Sequence, residues 1–132
     1  IMGVVIRRNI RSELAELQRS LKQIEETMAK AIGDKELFFN SRLILNELVC
    51  NGSIHGNHLD PQKEVKVTIH INRQSVQIEV TDEGDGFNVI PKSCENSNCS
   101  YSDHGRGLVI VSGLSDKLEV ENNTVRAIKY LS

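Results

Sequence analysis

The sequence lacks tryptophan and has only three phenylalanines and two tyrosines, so its core must be built from leucine, isoleucine and valine. No apolar run approaches the roughly 20 residues of a membrane-spanning helix, which argues against a span. A basic excess is also missing, because the formal net charge is −2. We therefore expect no direct nucleic-acid binding and no membrane binding.

The three cysteines, Cys50, Cys94 and Cys99, are an odd number without the spacing of a disulfide framework. No secretory signal is recognisable. These features predict a reducing, cytoplasmic setting, with Cys50 as a small buried hydrophobic residue. Cys94, Cys99 and His104 are spaced as zinc ligands can be, but a structural zinc site needs four ligands and a fourth is not evident. We therefore expect no zinc.

Hydrophobic residues recur at three- and four-residue steps in some segments and alternate with polar residues in others. The predicted elements are a strand at Val4–Ile6, helices at about Arg11–Ile32 and Lys35–His55, a hairpin from Glu64 to Thr81, a short helix opened by the glycines at 105 and 107, and a hairpin from Lys117 to Leu131. Asp34 is the expected N-cap of the second helix. The segregated order predicts one α+β domain over residues 1–132, a two-layer sandwich of helices over a mixed, mostly antiparallel sheet.

Two polar residues interrupt the second predicted helix on a face that should be buried. Glu47 and Asn51 are four residues apart and share one helical face, and His55 follows one turn later. Because buried polar groups cost free energy unless they are partnered, we expect a ligand opposite them. A magnesium ion with nucleotide phosphates is the hypothesis. Alternatively, Glu47 only orients water or a neighbouring backbone group.

The sequence Asp82-x-Gly84-x-Gly86 follows a predicted strand and has two interpretations. The glycines could simply allow the positive φ angles of a turn at the end of a hairpin. Alternatively, the Asp82 carboxylate accepts a hydrogen bond from an exocyclic amine such as that of adenine, and the glycines let the backbone approach the base. A charge-assisted bond of this kind contributes about 1.5–3 kcal/mol.

Gly105-Arg106-Gly107 precedes an apolar run and also has two interpretations. It is either an ordinary junction between a loop and a helix, or a phosphate site made by the free N–H groups of a helix N-terminus and the Arg106 guanidinium. The segment before it, Asn88 to His104, is rich in serine and asparagine. Long loops of this kind are often functional, so we expect a flexible lid there.

The order of these motifs is more specific than any one of them. Glu-x-x-x-Asn on a helix, Asp-x-Gly-x-Gly after a strand, a loop and then Gly-x-Gly-Leu resemble the ATPase superfamily of gyrase, heat-shock chaperones, histidine kinases and mismatch-repair proteins. Within it, the segments Asn46–Asn57, Val80–Phe87 and Gly105–Val111 look most like those of bacterial anti-sigma-factor serine kinases. The resemblance covers nearly the whole chain and implies a Bergerat-type ATP-binding fold.

The resemblance implies a role for each motif residue. Asn51 would offer its side-chain oxygen to Mg²⁺, which prefers oxygen ligands, and Glu47 would be the general base for the attacking hydroxyl. Asp82 would bind the adenine amine. The remaining implied nucleotide contacts are Gly84 and Gly86 beneath the base, Thr124 in support of the adenine site, and Gly105, Arg106 and Gly107 on the phosphates. Arg106 would also stabilise charge on the γ-phosphoryl group.

The function that the resemblance implies is that of an anti-sigma factor and protein-serine kinase. Such a protein binds a sigma factor of RNA polymerase and uses Mg-ATP to phosphorylate a serine of an anti-sigma-factor antagonist. A homodimer and an ATP lid at residues 88–104 are further expectations. The alternative is an ATP-binding regulatory module, or an ATPase domain, with little or no kinase activity. The residues name neither the sigma factor nor the antagonist.

Overall fold

The computed structural model describes residues 3–84 and 103–131, with backbone only for residues 103–107. The described elements are β1 (Val4–Arg11), α1 (Leu14–Ala31), α2 (Lys35–Cys50), a π-helical turn (Asn51–Gly56), β2 (Glu64–Ile71), β3 (Ser75–Thr81), α3 (Asp103–Leu114), β4 (Lys117–Glu121) and β5 (Thr124–Tyr130). The predicted α+β class is confirmed.

The strands form one five-stranded sheet in the order β1-β2-β3-β5-β4. All four neighbouring pairs of described strands are antiparallel, so the parallel component of the predicted mixed sheet is not found among them. The alternation in β2 explains why one face is covered, because its apolar residues all point to the helices and are buried. These residues are Val65, Val67, Ile69 and Ile71.

The core between the two layers is aliphatic, as the shortage of aromatic residues predicts. Its most completely buried members come from both helices and from β1 to β3, and include Ile10, Ile24, Met28, Leu45, Ile69 and Ile78. The opposite face of the sheet is polar. There Arg126 donates to Glu79 at 2.7 Å and to Glu119 at 3.2 Å. Its hydrogen bond to Glu79 is the main reason that the pKa of Arg126 is raised.

Strand β1 is longer than the sequence predicts. It was expected at Val4–Ile6 but extends to Arg11, because all eight of its residues pair with β2. Inward-facing and outward-facing residues still alternate through Arg8 to the buried Ile10. Because arginine is not hydrophobic, its inward position interrupts the hydrophobic pattern that predicts a strand. Helix α1 accordingly begins at Leu14 rather than near Arg11.

Side-chain caps fix the starts of both long helices. Glu13 accepts hydrogen bonds from the N–H groups of Ala15 and Glu16 at the start of α1. Asp34 accepts one from Leu37 N–H at 2.8 Å, which confirms its predicted role. Within the described ranges, no helix has the length and apolar character needed to cross a membrane.

Replacing Asp34 with alanine should lower the free energy of unfolding by about 1 kcal/mol, because the Leu37 N–H loses its acceptor. Asp34→Asn is the matched control, since its side-chain oxygen can still cap the helix. Urea denaturation of the three proteins measures the difference. Equal destabilisation by both substitutions would contradict a capping role.

Candidate functional site

The second helix changes its hydrogen-bonding pattern where the polar residues begin. The sequence predicts one helix from Lys35 to His55. The structure has helical backbone over this range, but it is α-helical only to Cys50 and π-helical from Asn51 to Gly56. Asn57 N–H then donates to Gly52 C=O, five residues back, at 2.8 Å. Short π-helical turns inside helices frequently occur at functional sites. The turn therefore marks this end of α2 as a candidate site.

Asn51 is only 8% exposed, and its side-chain Nδ2 has no hydrogen-bond partner among the described residues. Ser53, two residues later, is fully buried, and its hydroxyl likewise lacks a partner there. An unsatisfied buried group costs about 1–3 kcal/mol. Two such groups in one helical turn indicate that something polar, either a ligand or a segment outside the described ranges, lies against the turn.

Glu47 lies one helical turn before Asn51 and is half-buried. Asn51 N–H donates to the Glu47 main-chain oxygen, which fixes the backbone between the two residues. The prediction that Cys50 is buried was wrong, because its side chain is exposed and forms no disulfide. Even so, partial desolvation and then the nearby charge of Glu47 raise the pKa of the Cys50 thiol.

The π-helical turn touches the end of β3 at Asp82, which is buried. A Cβ atom added to Gly56 would lie 2.7 Å from Asp82 Oδ1, and one added to Gly84 would lie 2.8 Å from the Gly56 carbonyl carbon. Neither distance is sterically possible. Both glycines are therefore needed to bring the Asp82 carboxylate against the turn. The motif suggested only that Gly84 allows a turn or lets the backbone approach a base. The close contact with the Gly56 backbone is a second reason for glycine at this position.

Asp82 is held from both sides. Its Oδ1 accepts a hydrogen bond from Gly84 N–H at 2.8 Å, which closes a tight local turn. Its N–H donates to Asn123 C=O at 3.0 Å, and the Asn123 side-chain Nδ2 donates to the Asp82 main-chain oxygen. The Asp82 backbone is therefore fixed by the turn before β5.

Thr124, expected to support the adenine site, is not brought to Asp82. Its hydroxyl oxygen lies 2.8 Å from that of Thr81, its register partner. The residues on either side of this pair, Val80 and Val125, are buried towards the helices, so the two threonines lie on the other sheet face. The residue of this hairpin that bonds to Asp82 is the preceding one, Asn123, for which no motif predicts a role.

Helix α3 contacts both α2 and the π-helical turn, so it lies beside the candidate site. It begins at Asp103, so Gly105, Arg106 and Gly107 lie inside its first two turns and do not open it. Leu108 and Val111 anchor the helix in the core.

Several predicted features fall outside what the structure describes. These are Gly86, the lid up to residue 102, Cys94 and Cys99, and the side chains of His104 and Arg106. The structure therefore brings together Glu47, Asn51, Asp82 and Gly84 of the predicted site. Helix α3 as a whole lies beside them, through its contacts with α2 and the π-helical turn.

Comparison with known proteins agrees with this arrangement. Residues 10–129 match the family described as the histidine kinase-like ATPase domain. The chain belongs to this family. The family resemblance inferred from the three motifs is thereby confirmed, and membership implies ATP binding.

Curated relatives point to one branch of the family. A protein named anti-sigma F factor from Oceanobacillus iheyensis is 28% identical over 82 residues, covering 60% of this chain and 56% of the relative. One of the same name from Clostridium botulinum (strain Eklund 17B / Type B) is 33% identical over 81 residues, covering 59% and 57%. A third, from Anoxybacillus flavithermus, is 24% identical over 99 residues, covering 69% and 68%. The first two matches span little more than half of each relative.

Substituting alanine for Gly56 should destabilise the domain by about 1–3 kcal/mol, because the new methyl group overlaps the Asp82 carboxylate. Thermal or urea unfolding measures the change. Gly113→Ala in α3 is the control, since nothing lies within 4 Å of an added Cβ there. That substitution should stabilise the helix by about 0.5–1 kcal/mol. A Gly56→Ala protein as stable as the wild type would refute the close contact.

Proposed function

We propose that this domain binds Mg-ATP beside the π-helical turn and transfers the γ-phosphoryl group to a serine of an anti-sigma-factor antagonist, and that it also binds the sigma factor. The family supports ATP use, and the names of the curated relatives support the anti-sigma role. The observation that carries the proposal is Asn51, a buried carboxamide whose Nδ2 has no partner among the described residues, in a π-helical turn that contacts Asp82.

The residues of the turn fit a magnesium nucleotide. Asn51 would contribute its side-chain oxygen to Mg²⁺, a hard cation that usually takes few protein ligands and completes its shell with water and phosphate oxygens. The amide nitrogen of the same side chain, which has no acceptor within residues 3–84 and 103–131, would then donate to a phosphate oxygen or water. When bound, the ion offsets negative charge on the phosphates.

Asp82 would bind the adenine amine. One of its carboxylate oxygens already accepts from Gly84 N–H, which orients the group, and a carboxylate has acceptor sites beyond one hydrogen bond. The contacts of Asn123 and Gly56 hold the carboxylate in position against the turn. A carboxylate held in this position would favour adenine over a base that lacks the amine, because such a base would not donate the hydrogen bond.

Glu47 would act as the general base. In the proposed reaction its carboxylate accepts the proton of the substrate serine hydroxyl. The serine oxygen forms a bond to the γ-phosphorus of ATP while the bond from that phosphorus to the β-γ bridging oxygen breaks, and ADP leaves. Glu47 is half-buried one helical turn before Asn51, which supports this role because a base must lie within hydrogen-bonding reach of the hydroxyl proton beside the bound ATP.

The remaining assignments complete the proposal. Gly105, Arg106 and Gly107 would hold the phosphates near the start of α3, where helix N–H groups and the helix dipole favour anions. Arg106 would also stabilise charge that develops on the transferred group. A single domain over residues 1–132, Gly86 beneath the base, a lid at residues 88–104, a homodimer and a cytoplasmic location stay predictions.

The Asp82→Asn protein should bind Mg-ATP at least about tenfold more weakly, because an amide replaces the charged acceptor for the adenine amine. Isothermal titration calorimetry measures the affinity, with Glu79→Gln on the other sheet face as a control that should bind normally. Unchanged affinity in the Asp82→Asn protein would remove the adenine assignment.

The Glu47→Gln protein should bind Mg-ATP with near-normal affinity but transfer phosphate at least about 100-fold more slowly, because it lacks the base. The measurement is transfer of labelled γ-phosphate to a purified antagonist protein. Normal transfer by this variant would exclude Glu47 as the base. Absence of transfer by the wild-type protein, with ATP binding intact, would favour the alternative of a regulatory module without kinase activity.

A further inference from the structure

We propose that Asn57 is a positioning residue for nucleotide recognition, which aligns the adenine-binding turn at Asp82 with the π-helical turn that carries Asn51. The motif that contains Asn57 predicts no role for this residue. The inference rests on the proposed function, because it assumes that adenine binds at Asp82. It concerns a residue that would touch neither the nucleotide nor the metal.

Asn57 is completely buried and uses its carboxamide fully. Its Nδ2 donates to Ser12 Oγ at 2.9 Å and to the Glu64 main-chain oxygen at 3.0 Å. Its Oδ1 accepts from Glu83 N–H at 2.7 Å. One side chain thus joins the start of α1, the start of β2 and the residue directly after Asp82.

The backbone of Asn57 is attached to the candidate site as well. Its N–H closes the π-helical turn on Gly52, so the side chain and the turn cannot move independently. Glu83 is fixed a second time, because its carboxylate accepts from Glu64 N–H. Two neighbouring anchors on Glu83, and Asn123 on the other side, leave the Asp82 backbone little freedom.

This arrangement explains how Asp82 keeps its place although Gly56 and Gly84 supply no side chains. The glycines permit the close contact but, without side chains, cannot hold it. The hydrogen bond from Glu83 N–H to Asn57 Oδ1 provides the attachment, and because the Asn57 side chain is completely buried, the loss of this partner is costly. Loss of Asn57 should therefore release the Asp82 turn from the π-helical turn.

A purely structural role for Asn57 makes a different prediction. In that case its removal would lower stability and weaken all ligands together, since the folded fraction alone would change. A positioning role affects the base contact more than the phosphate contacts. Binding of ATP, GTP and inorganic tripolyphosphate, each with Mg²⁺, separates the two because only ATP offers the adenine amine.

The test compares wild-type protein with Asn57→Ala and Ser12→Ala at a temperature where all three are folded. Ser12→Ala removes one partner of Asn57 but leaves the bond to Glu83. Asn57→Ala should weaken ATP binding about tenfold and change GTP and tripolyphosphate binding less than about twofold. Ser12→Ala should lower stability and keep the wild-type preference for ATP over GTP.

Two results for Asn57→Ala would overturn the inference but leave the proposed function intact. One is that the affinities for all three ligands fall by the same factor, and the other is that the ratio of ATP to GTP affinity stays at its wild-type value. A wild-type protein that does not prefer ATP over GTP would instead overturn the adenine site of the proposed function, and the inference with it. Should Asn57→Ala fail to fold, amide hydrogen exchange on the nucleotide-free wild-type protein decides. The Glu83 amide should exchange slowly, and exchange at the rate of an exposed amide would overturn the inference.

Discussion

The candidate site depends on a close contact between the helical layer and the sheet, which two glycines make possible. Gly56 of the π-helical turn lies directly against the Asp82 carboxylate, and Gly84 lies against the Gly56 backbone. Any larger residue at either glycine would separate helix and strand. The contact places the Asp82 carboxylate from the sheet against the π-helical turn that carries the buried amide of Asn51. The proposed metal and adenine contacts are adjacent for this reason.

The same region holds two of the three buried side-chain polar atoms that lack a hydrogen-bond partner among the described residues. Buried amide and hydroxyl groups at Asn51 and Ser53 lack protein partners among the described residues, although leucine or alanine would fill such positions without that cost. A ligand that supplies the missing partners recovers the cost when it binds. Burial of the aliphatic core stabilises the fold and offsets this local cost. The α-helical part of α2 therefore stabilises the fold, and the π-helical turn that follows it carries the candidate binding residues.

Periodicity alone predicted the two long helices, both hairpins and the α+β class, because each amphipathic pattern matches one covered face. It failed where a charged residue faces inward, as at Arg8 in β1. The motifs located Glu47, Asn51 and Asp82, but pairing geometry was needed for the rest. Asn123, not Thr124, contacts Asp82 because the strand register decides which face each residue occupies. Such long-range pairings are not encoded in local residue patterns.

A crystal structure of the domain with Mg²⁺ and a non-hydrolysable ATP analogue tests the central claim most directly. The account predicts the adenine amine within hydrogen-bonding distance of the Asp82 carboxylate and Mg²⁺ on the Asn51 side-chain oxygen. Nucleotide bound elsewhere would contradict it. An example is the groove lined by Ile32, Ile71 and Leu131 at the other end of the sheet. Nucleotide beside the π-helical turn with its base away from Asp82 would contradict it equally.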